Sequence, residues 1–296
     1  MAERSLFGSR GSVKQTRFKW YGALSRILTY LVLIAGVVVA VVPFVWMIST
    51  SFKSIGEAQG VRFFPTQLRF ANYISAWEEA DFAEYFINSI IITLITLAGR
   101  LICSVLAAYG FARIKFPGRD LIFSMLLATM MIPAMVMIIP NFLTVTWLGR
   151  IGPIKWINNW PAQTIPFWGS VFDIFLLKQF FAQIPDELYD AAQIDGAGHF
   201  LFLRKVALPL STAPIMVIVV LAFIGSWNAL AWPMLVTNSP EWRPISVGLM
   251  QFVEEAGQMT NLMMAGAVIT IVPIVILYFI TQKQFTASIA RSGLKG

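Results

Sequence analysis

Six long apolar blocks constrain this chain more than anything else in its sequence. They run roughly over 27–49, 87–112, 121–146, 164–181, 212–236 and 262–281. A bilayer core of about 30 Å needs about 20 apolar helical residues to cross it, and most of the blocks meet that length. The fourth is the shortest and is interrupted by Pro166 and Asp173. Only 12% of the residues are charged, about half the roughly 25% of a soluble domain. In lipid every backbone polar group must be satisfied by a helix or a closed barrel. The blocks are too long and continuous for barrel strands of about 10 alternating residues. The expected fold is therefore an all-α membrane protein of six transmembrane helices.

Basic residues orient the spans, because Lys and Arg gather on the cytoplasmic side. With the N-terminus inside, the outer segments hold only Lys53, Arg62, Arg69, Arg150, Lys155 and Arg243, and Arg100 lies within a span. The other fifteen of the 22 basic residues fall inside, among them Arg113, Lys115, Arg119, Arg204 and Lys205. Both termini are thus expected in the cytoplasm. The outer loops become 52–86, 147–163 and 237–261, the first of them acidic and partly helical. The organisation is a basic N-terminal arm at 1–26, a transmembrane domain at 27–282 and a tail at 283–296. The net charge of +7 sorts by loop and so argues for membrane topology, not for a nucleic-acid partner. The first block outruns a signal peptide's h-region and lacks a clear cleavage site, so no cleaved leader is expected. The single cysteine, Cys103, excludes a disulfide framework and reads as an inert buried thiol.

The longest inner loop, 182–211, is the most informative. Pro185 suits a helix start, and Asp186 and Glu187 complement the positive end of a helix dipole. Gly196 supplies a left-handed residue where that helix stops. Leu188, Ala191, Ala192 and Asp195 share one small, mildly apolar face. A second helical segment, 199–208, is expected to break at Pro209. Helix physics alone leaves two readings open, a docking element or a plain connector.

The spacing goes further. Asp190-Ala191-Ala192, three residues, Gly196, nine residues, Val206, one residue and Leu208-Pro209 resembles the EAA signature of binding-protein-dependent ABC importer permeases. Asp190 stands where the signature has Glu, and Val206 where it has Ile; both keep charge or shape. The resemblance implies that this loop is a coupling helix seated in a cleft of an ATPase subunit. Asp190 and Gly196 would then define the helix and its turn, and Ala191 and Ala192 would face the ATPase. Asp186, Glu187, Leu188, Asp195, Leu208 and Pro209 would complete the element.

Other segments are similar to the MalG-like permeases of carbohydrate importers: Ala108-Tyr-Gly-Phe-Ala-Arg-Ile-Lys-Phe-Pro-Gly-Arg119, Ile174 to Phe181, Phe223 to Asn228 and the ending Gly293-Leu-Lys-Gly296. The resemblance implies a type I importer permease fold and passage of a sugar or oligosaccharide. It also implies a second related permease chain, two ATPase copies and an extracytoplasmic solute-binding protein. No Gly-x-x-x-x-Gly-Lys-Ser/Thr loop is present. ATP and Mg²⁺ are therefore expected on the partner ATPase subunits, with no cofactor, metal or catalytic residue on this chain. The rival reading is a stand-alone secondary transporter driven by an ion gradient, although no inverted repeat is evident.

Charges within spans usually face a partner or water. Arg100 and Asp173, near the middles of the second and fourth spans, either pair with each other, line the solute path or mark misdrawn span edges. Asn228 and Trp227, in the fifth span, suit a sugar's hydroxyls and ring face, or serve packing. Met125, Met130, Met131, Met135 and Met137 read as packing residues, since no Cys or His completes a soft-metal site. The only histidine, His199, lacks a nucleophile or metal partner in the sequence and reads as solvated or part of a docking surface. The adjacent acids Glu78-Glu79 and Glu254-Glu255 read as solvated loops or binding-protein contacts.

Overall fold

A computed structural model describes residues 12–79, 82–254 and 259–293, with side chains at 24–78, 82–250 and 259–282. Residues 1–11 of the basic arm, Asp81, Glu255 and the last three residues lie outside the described residues, as do the side chains of 12–23, Glu79 and Glu254. All regular structure among the described residues is helical. In chain order it comprises α1 (Ser12–Ser51), α2 (Ile55–Ala58), α3 (Ala71–Glu79), α4 (Phe82–Arg113), α5 (Arg119–Thr129), α6 (Ile138–Ile151), α7 (Trp160–Thr164) and α8 (Val171–Ala182). There follow α9 (Asp186–Ile194), α10 (His199–Phe202), α11 (Leu208–Leu210), α12 (Thr212–Trp227), α13 (Ala231–Val236), α14 (Ile245–Glu254) and α15 (Thr260–Gly293).

Four stretches are long and apolar enough to cross a bilayer: Leu24–Ser51, Phe82–Arg113, Ala134–Ile151 and Thr260–Gln282. Two bent pairs raise the number to as many as six if each is one span. Trp160–Phe167 meets Val171–Ala182 at 41°, and His199–Leu210 meets Thr212–Trp227 at 81°. The first, second and sixth expected blocks thus fall on continuous helices, whereas the other three are broken. The third stops at Met130 ahead of Pro133 and resumes through a 3-10 turn over Ala134–Met137 into α6. Proline disfavours helix in the residue before it, which hydropathy cannot register. The fifth block also stops early, at Trp227, and its remainder forms the separate α13.

Pro209 does not end its segment as expected. Helix continues to Leu210, and the sharp bend falls at Ser211 (φ −107°, ψ 23°). The strain is taken upstream by a π-turn over Leu203–Ala207, in which the Leu208 N–H donates to the Leu203 carbonyl, five residues back. A proline ring clashes with the carbonyl four residues before it, and widening that turn relieves the clash.

The helix α4 is the hub, packing against α8, α12, α14 and α7, while α15 carries α1, α3, α12 and α14. Side-chain bonds distinguish two ends. At one, Asn88 donates to the Glu241 and Arg243 carbonyls, the Ile245 N–H donates to Ser89 Oγ, and Gln163 donates to the Trp242 carbonyl. That end also carries α2 and α3, where Asn72 Nδ2 donates to the carbonyls of Ser51 and Lys53 and Asn261 donates to Asn72. At the other lie the end of α4, the end of α8, and α9 with α10. Between the ends α4 runs under Trp168: a Cβ on Gly99 would sit 2.3 Å from the indole, so only glycine lets the ring approach.

Two expectations about single residues are corrected. Cys103 is exposed, because an apolar block in a membrane chain faces lipid as readily as protein. Met125, Met130, Met131, Met135 and Met137 are likewise exposed, outside the packed core of the described chain.

Candidate coupling element and membrane cavity

The helix α9 is set at both ends by its own sequence. Pro185 stands one residue before it, extended (φ −56°, ψ 141°), and Asp186 and Glu187 occupy its first turn. At the other end Gly196 is left-handed (φ +78°). Its N–H donates to the Gln193 carbonyl at 3.0 Å, and the Ala197 N–H reaches back to the Ala192 carbonyl at 2.8 Å. Those paired bonds are the Schellman stop, which satisfies carbonyls that a frayed end would leave open. A Cβ on Gly196 would meet nothing within 4 Å, so the demand for glycine there is purely one of backbone conformation.

The exposed face of α9 carries Glu187, Leu188, Asp190, Ala191, Ile194 and Asp195. Ile194 is 88% exposed, and Phe200, just beyond, 71%. Ala192 departs from the expected outward face: half-buried, it packs with Tyr189 onto the core formed by Tyr109, Phe181, Phe202 and their neighbours. Val206 and Leu208 also pack on this core, while Pro209 is exposed.

Arg113, the last residue of α4, fastens this element to the spans. Its Nε donates to the Phe181 carbonyl at 3.1 Å, its Nη2 to the Ile184 carbonyl, and its Nη1 to Asp186 Oδ1 at 2.5 Å. One guanidinium thus caps the open end of α8 and holds the start of α9. His199 provides a second tie: Tyr109 of α4 lies 3.0 Å from its Nδ1, and Tyr189 of α9 stacks on its ring. In the sequence Arg113 and Tyr109 stand out only as an inner charge and as members of the 108–119 segment, with no role attached, and Ile194 not at all; their roles depend on which residues the fold brings near them.

Arg100 and Asp173 are brought together. Arg100 Nε and Nη2 meet Asp173 Oδ2 and Oδ1 at 2.5 and 3.0 Å, and Nη2 also donates to Ser170 Oγ at 3.1 Å. Asp173 lies in the first turn of α8, just after the break at Gly169 between the two helices of the bent pair, with Ser170 as N-cap. Its carboxylate is fully buried. Removing one partner of such a pair strands a buried charge, at a cost of about 3–5 kcal/mol.

Arg100 also lines a cavity of about 230 Å³ with Thr96, Gln163, Phe167, Ser226 and Trp232 among its neighbours. Thr96 Oγ1 and Gln163 Oε1 are both shielded and make no hydrogen bond among the described residues. Trp227 lies outside this wall. It is buried, stacks on Phe223 and donates its indole N–H to the Thr270 carbonyl at 3.0 Å. Asn228 is exposed at the C-cap of α12. Thr96 and Gln163 escaped the sequence reading, since a lone Thr in a span and a Gln at a loop edge carry no signal.

Several apolar spans, a braced helix at one end and a mostly apolar cavity with a few polar groups among the spans are the features of a membrane permease. Residues 100–291 match the family described as "Binding-protein-dependent transport system inner membrane component", and the chain belongs to that family. It is the family inferred from the Asp190–Pro209 spacing. The chain is 29% identical over 271 residues to the diacetylchitobiose uptake system permease protein NgcG of Streptomyces coelicolor, covering 89% of this chain and 87% of that one. It is 29% identical over 282 residues to the sn-glycerol-3-phosphate transport system permease protein UgpE of Brucella abortus, covering 91% and 97%. A chain of a solved bacterial ABC transporter involved in import of the acidic polysaccharide alginate superposes with a TM-score of 0.78 at 26% identity, covering 94% of this chain and 99% of that chain. These relationships favour an importer permease over a stand-alone secondary transporter.

Proposed function

We propose that this chain is one of two permease subunits in an ATP-driven importer that carries a sugar or oligosaccharide delivered by an extracytoplasmic binding protein. The observation that carries the reading is the bracing of α9: a helix stopped by Gly196 and clamped to α4 and α8 through Arg113. A lever must be stiff, because a flexible linker would dissipate the movement of an ATPase closing beneath it. Asp186, Glu187, Leu188, Asp190, Ala191, Asp195 and Gly196 would form the docking surface. Ala192, Leu208 and Pro209 would support it from the membrane side.

The same two helices carry the cavity. Arg100 lies thirteen residues before Arg113 on α4, about 20 Å at 1.5 Å per residue. Asp173 and Phe181 share α8. Displacing α9 would therefore move both walls at the Arg100–Asp173 pair, which we place beside the solute path, with Asn228 at its margin and Trp227 as packing behind it. ATP and Mg²⁺ would be held by two ATPase copies, and this chain would carry neither cofactor nor metal. Both termini, the arm at 1–26 and the tail at 283–296, would be cytoplasmic. The membrane domain would span 27–282, with coupling loop 182–211. The binding protein would dock at the opposite end, on loops 52–86, 147–163 and 237–261. Lipid surrounds the chain, and nucleic acid has no role.

The test is mild-detergent purification of the tagged chain from its native membrane. Recovery of a second permease and an ATPase is expected, with the ATPase lost from Gly196→Pro. A chain recovered alone that transports in liposomes without ATP would overturn the importer reading.

A further inference from the structure

A second hollow lies toward the α9 end, on the surface of the spans. It is an open groove of about 470 Å³ walled by Leu101, Ile102 and Val105 of α4 and by Leu208 and Ile215 on either side of the bend at Ser211. The wall is almost wholly apolar, and Arg204 is its one charged side chain among the described residues. The 81° bend between His199–Leu210 and Thr212–Trp227 turns the basic segment out of line with α12. A guanidinium thereby shares a hollow with apolar residues of a span. Arg204 and its neighbour Lys205 are exposed, and neither side chain makes an ion pair or hydrogen bond among the described residues. Arg100, Arg113 and Arg119, in contrast, each meet a carboxylate. Beyond the groove Leu106 and Leu210 extend the exposed apolar surface. Such a wall favours an apolar occupant, and an unpaired cation at its edge favours an anion. A phospholipid with an anionic headgroup supplies both in one molecule, as in the basic pockets between spans that bind such headgroups at the cytoplasmic side.

We propose that this groove holds one anionic phospholipid of the leaflet at the α9 end, with an acyl chain along Leu101, Val105 and Ile215 and the phosphate at Arg204. Lys205 adds to the positive field. The inference takes from the importer reading only that this end is cytoplasmic, where the leaflet carries a negative surface potential. The lipid would touch both α4 and the segment that leads from α9 to α12. It would therefore brace the coupling loop against the spans, and a bilayer without anionic lipid would leave that joint looser.

The experiment uses the complete transporter in phosphatidylcholine nanodiscs that contain a trace of phosphatidylglycerol with a photoreactive diazirine in its acyl chain. Adducts are mapped by mass spectrometry. They are expected on the peptides that contain Leu101–Val105 and Leu208–Ile215. Unlabelled phosphatidylglycerol should compete them away, whereas sn-glycerol 3-phosphate, which has no acyl chain, should not. Phosphatidylcholine carrying the same diazirine should label both peptides several-fold less. Arg204→Gln should cut labelling by phosphatidylglycerol about 5-fold, the effect of one basic residue near an anionic headgroup, and Arg204→Lys should keep most of it. Ile102→Trp, at an exposed position, fills the groove while leaving both charges in place, and should lower labelling as well. Equal labelling by the two photoreactive lipids, or labelling indifferent to Arg204→Gln, overturns the proposal. Absence of lipid adducts from both peptides, with the second permease chain covering the groove, overturns it too. Failure of the ATPase to co-purify sinks the importer reading instead, and leaves the lipid outcomes readable on the chain alone, since the labelling needs no ATP.

Discussion

Replacing Arg113 by alanine should release α9 from the spans without unfolding them. Arg113 has only 8% of its side chain exposed. Its two carbonyl partners, on Phe181 and Ile184, belong to buried residues. A hydrogen bond from a charged donor contributes about 1.5–3 kcal/mol, so the two together amount to roughly 3–5 kcal/mol, allowing for some water entering at the helix end. Asp186 is different: its side chain is 88% exposed, and an exposed ion pair is worth at most about 1 kcal/mol. Arg113→Ala should therefore speed hydrogen–deuterium exchange of α9 amides by about 100-fold or more, at 1.4 kcal/mol per decade. Asp186→Asn should speed it less than about 5-fold. Arg113→Lys keeps the charge but not the fork that reaches three acceptors, and should fall between. In proteoliposomes of the whole transporter, the solute transported per ATP should drop in the same order. Equal effects of Asp186→Asn and Arg113→Ala would refute the reasoning, because the ion pair and not the carbonyl capping would then hold the joint.

Gly196→Ala should cost about 1–2 kcal/mol through its left-handed backbone alone, and Gly196→Asn less. Retention of the ATPase on purification should follow the order Gly, Asn, Ala, Pro. Gly99→Val would drive a side chain into the Trp168 indole and should lower the thermal midpoint of the purified chain, by about 1–3 kcal/mol of overpacking; Trp168→Ala in the same chain should recover part of the loss. At the opposite end Glu57 is held below the ordinary carboxylate range, chiefly by the Ser54 N–H, with the Thr66 N–H and the Ser54 hydroxyl adding to it. A depressed pKa means that the capping box is intact above the ordinary value and is lost as pH falls through the lower folded one. Exchange of the Ser54 and Thr66 amides should rise only in that acidic window, and Glu57→Gln should abolish the pH dependence.

The readable parts of the sequence were those where a local rule acts alone. The limits of α9 follow from Pro185 and Gly196, and the long helices α4 and α15 from unbroken apolar runs. The third and fifth blocks misled because hydropathy measures transfer of side chains, whereas Pro133 and the turn at Asn228 act on the backbone. The twelve-residue helix α8 likewise begins only after the break at Gly169. Asp173 is consequently a first-turn acid, which an apolar block alone could not show. Burial was the other blind spot: Cys103, expected inside, faces outward, and Ala192, expected outside, faces inward. Arg113 could not be found without the fold, because its partners lie about 70 residues away and two of them are backbone carbonyls.

The packing of α1 on α15 joins the first helix to the last, and this sets a timetable for synthesis. From Leu24 to Val45 every residue of α1 is exposed in the described structure. Once α1 has left the ribosome, roughly 200 further residues must be made before α15 begins, on the order of 10–40 s at about 5–20 residues per second. Throughout that interval only the far end of α1 is held, by Asn72 and Tyr73, and its 24–45 stretch has to persist with lipid alone around it. Its 28-residue apolar stretch lets it do so, because a span of that length satisfies its own backbone and needs only lipid around it. The ends of the chain therefore meet last, and a ribosome that stalls before α15 leaves α1 stably inserted but unpaired.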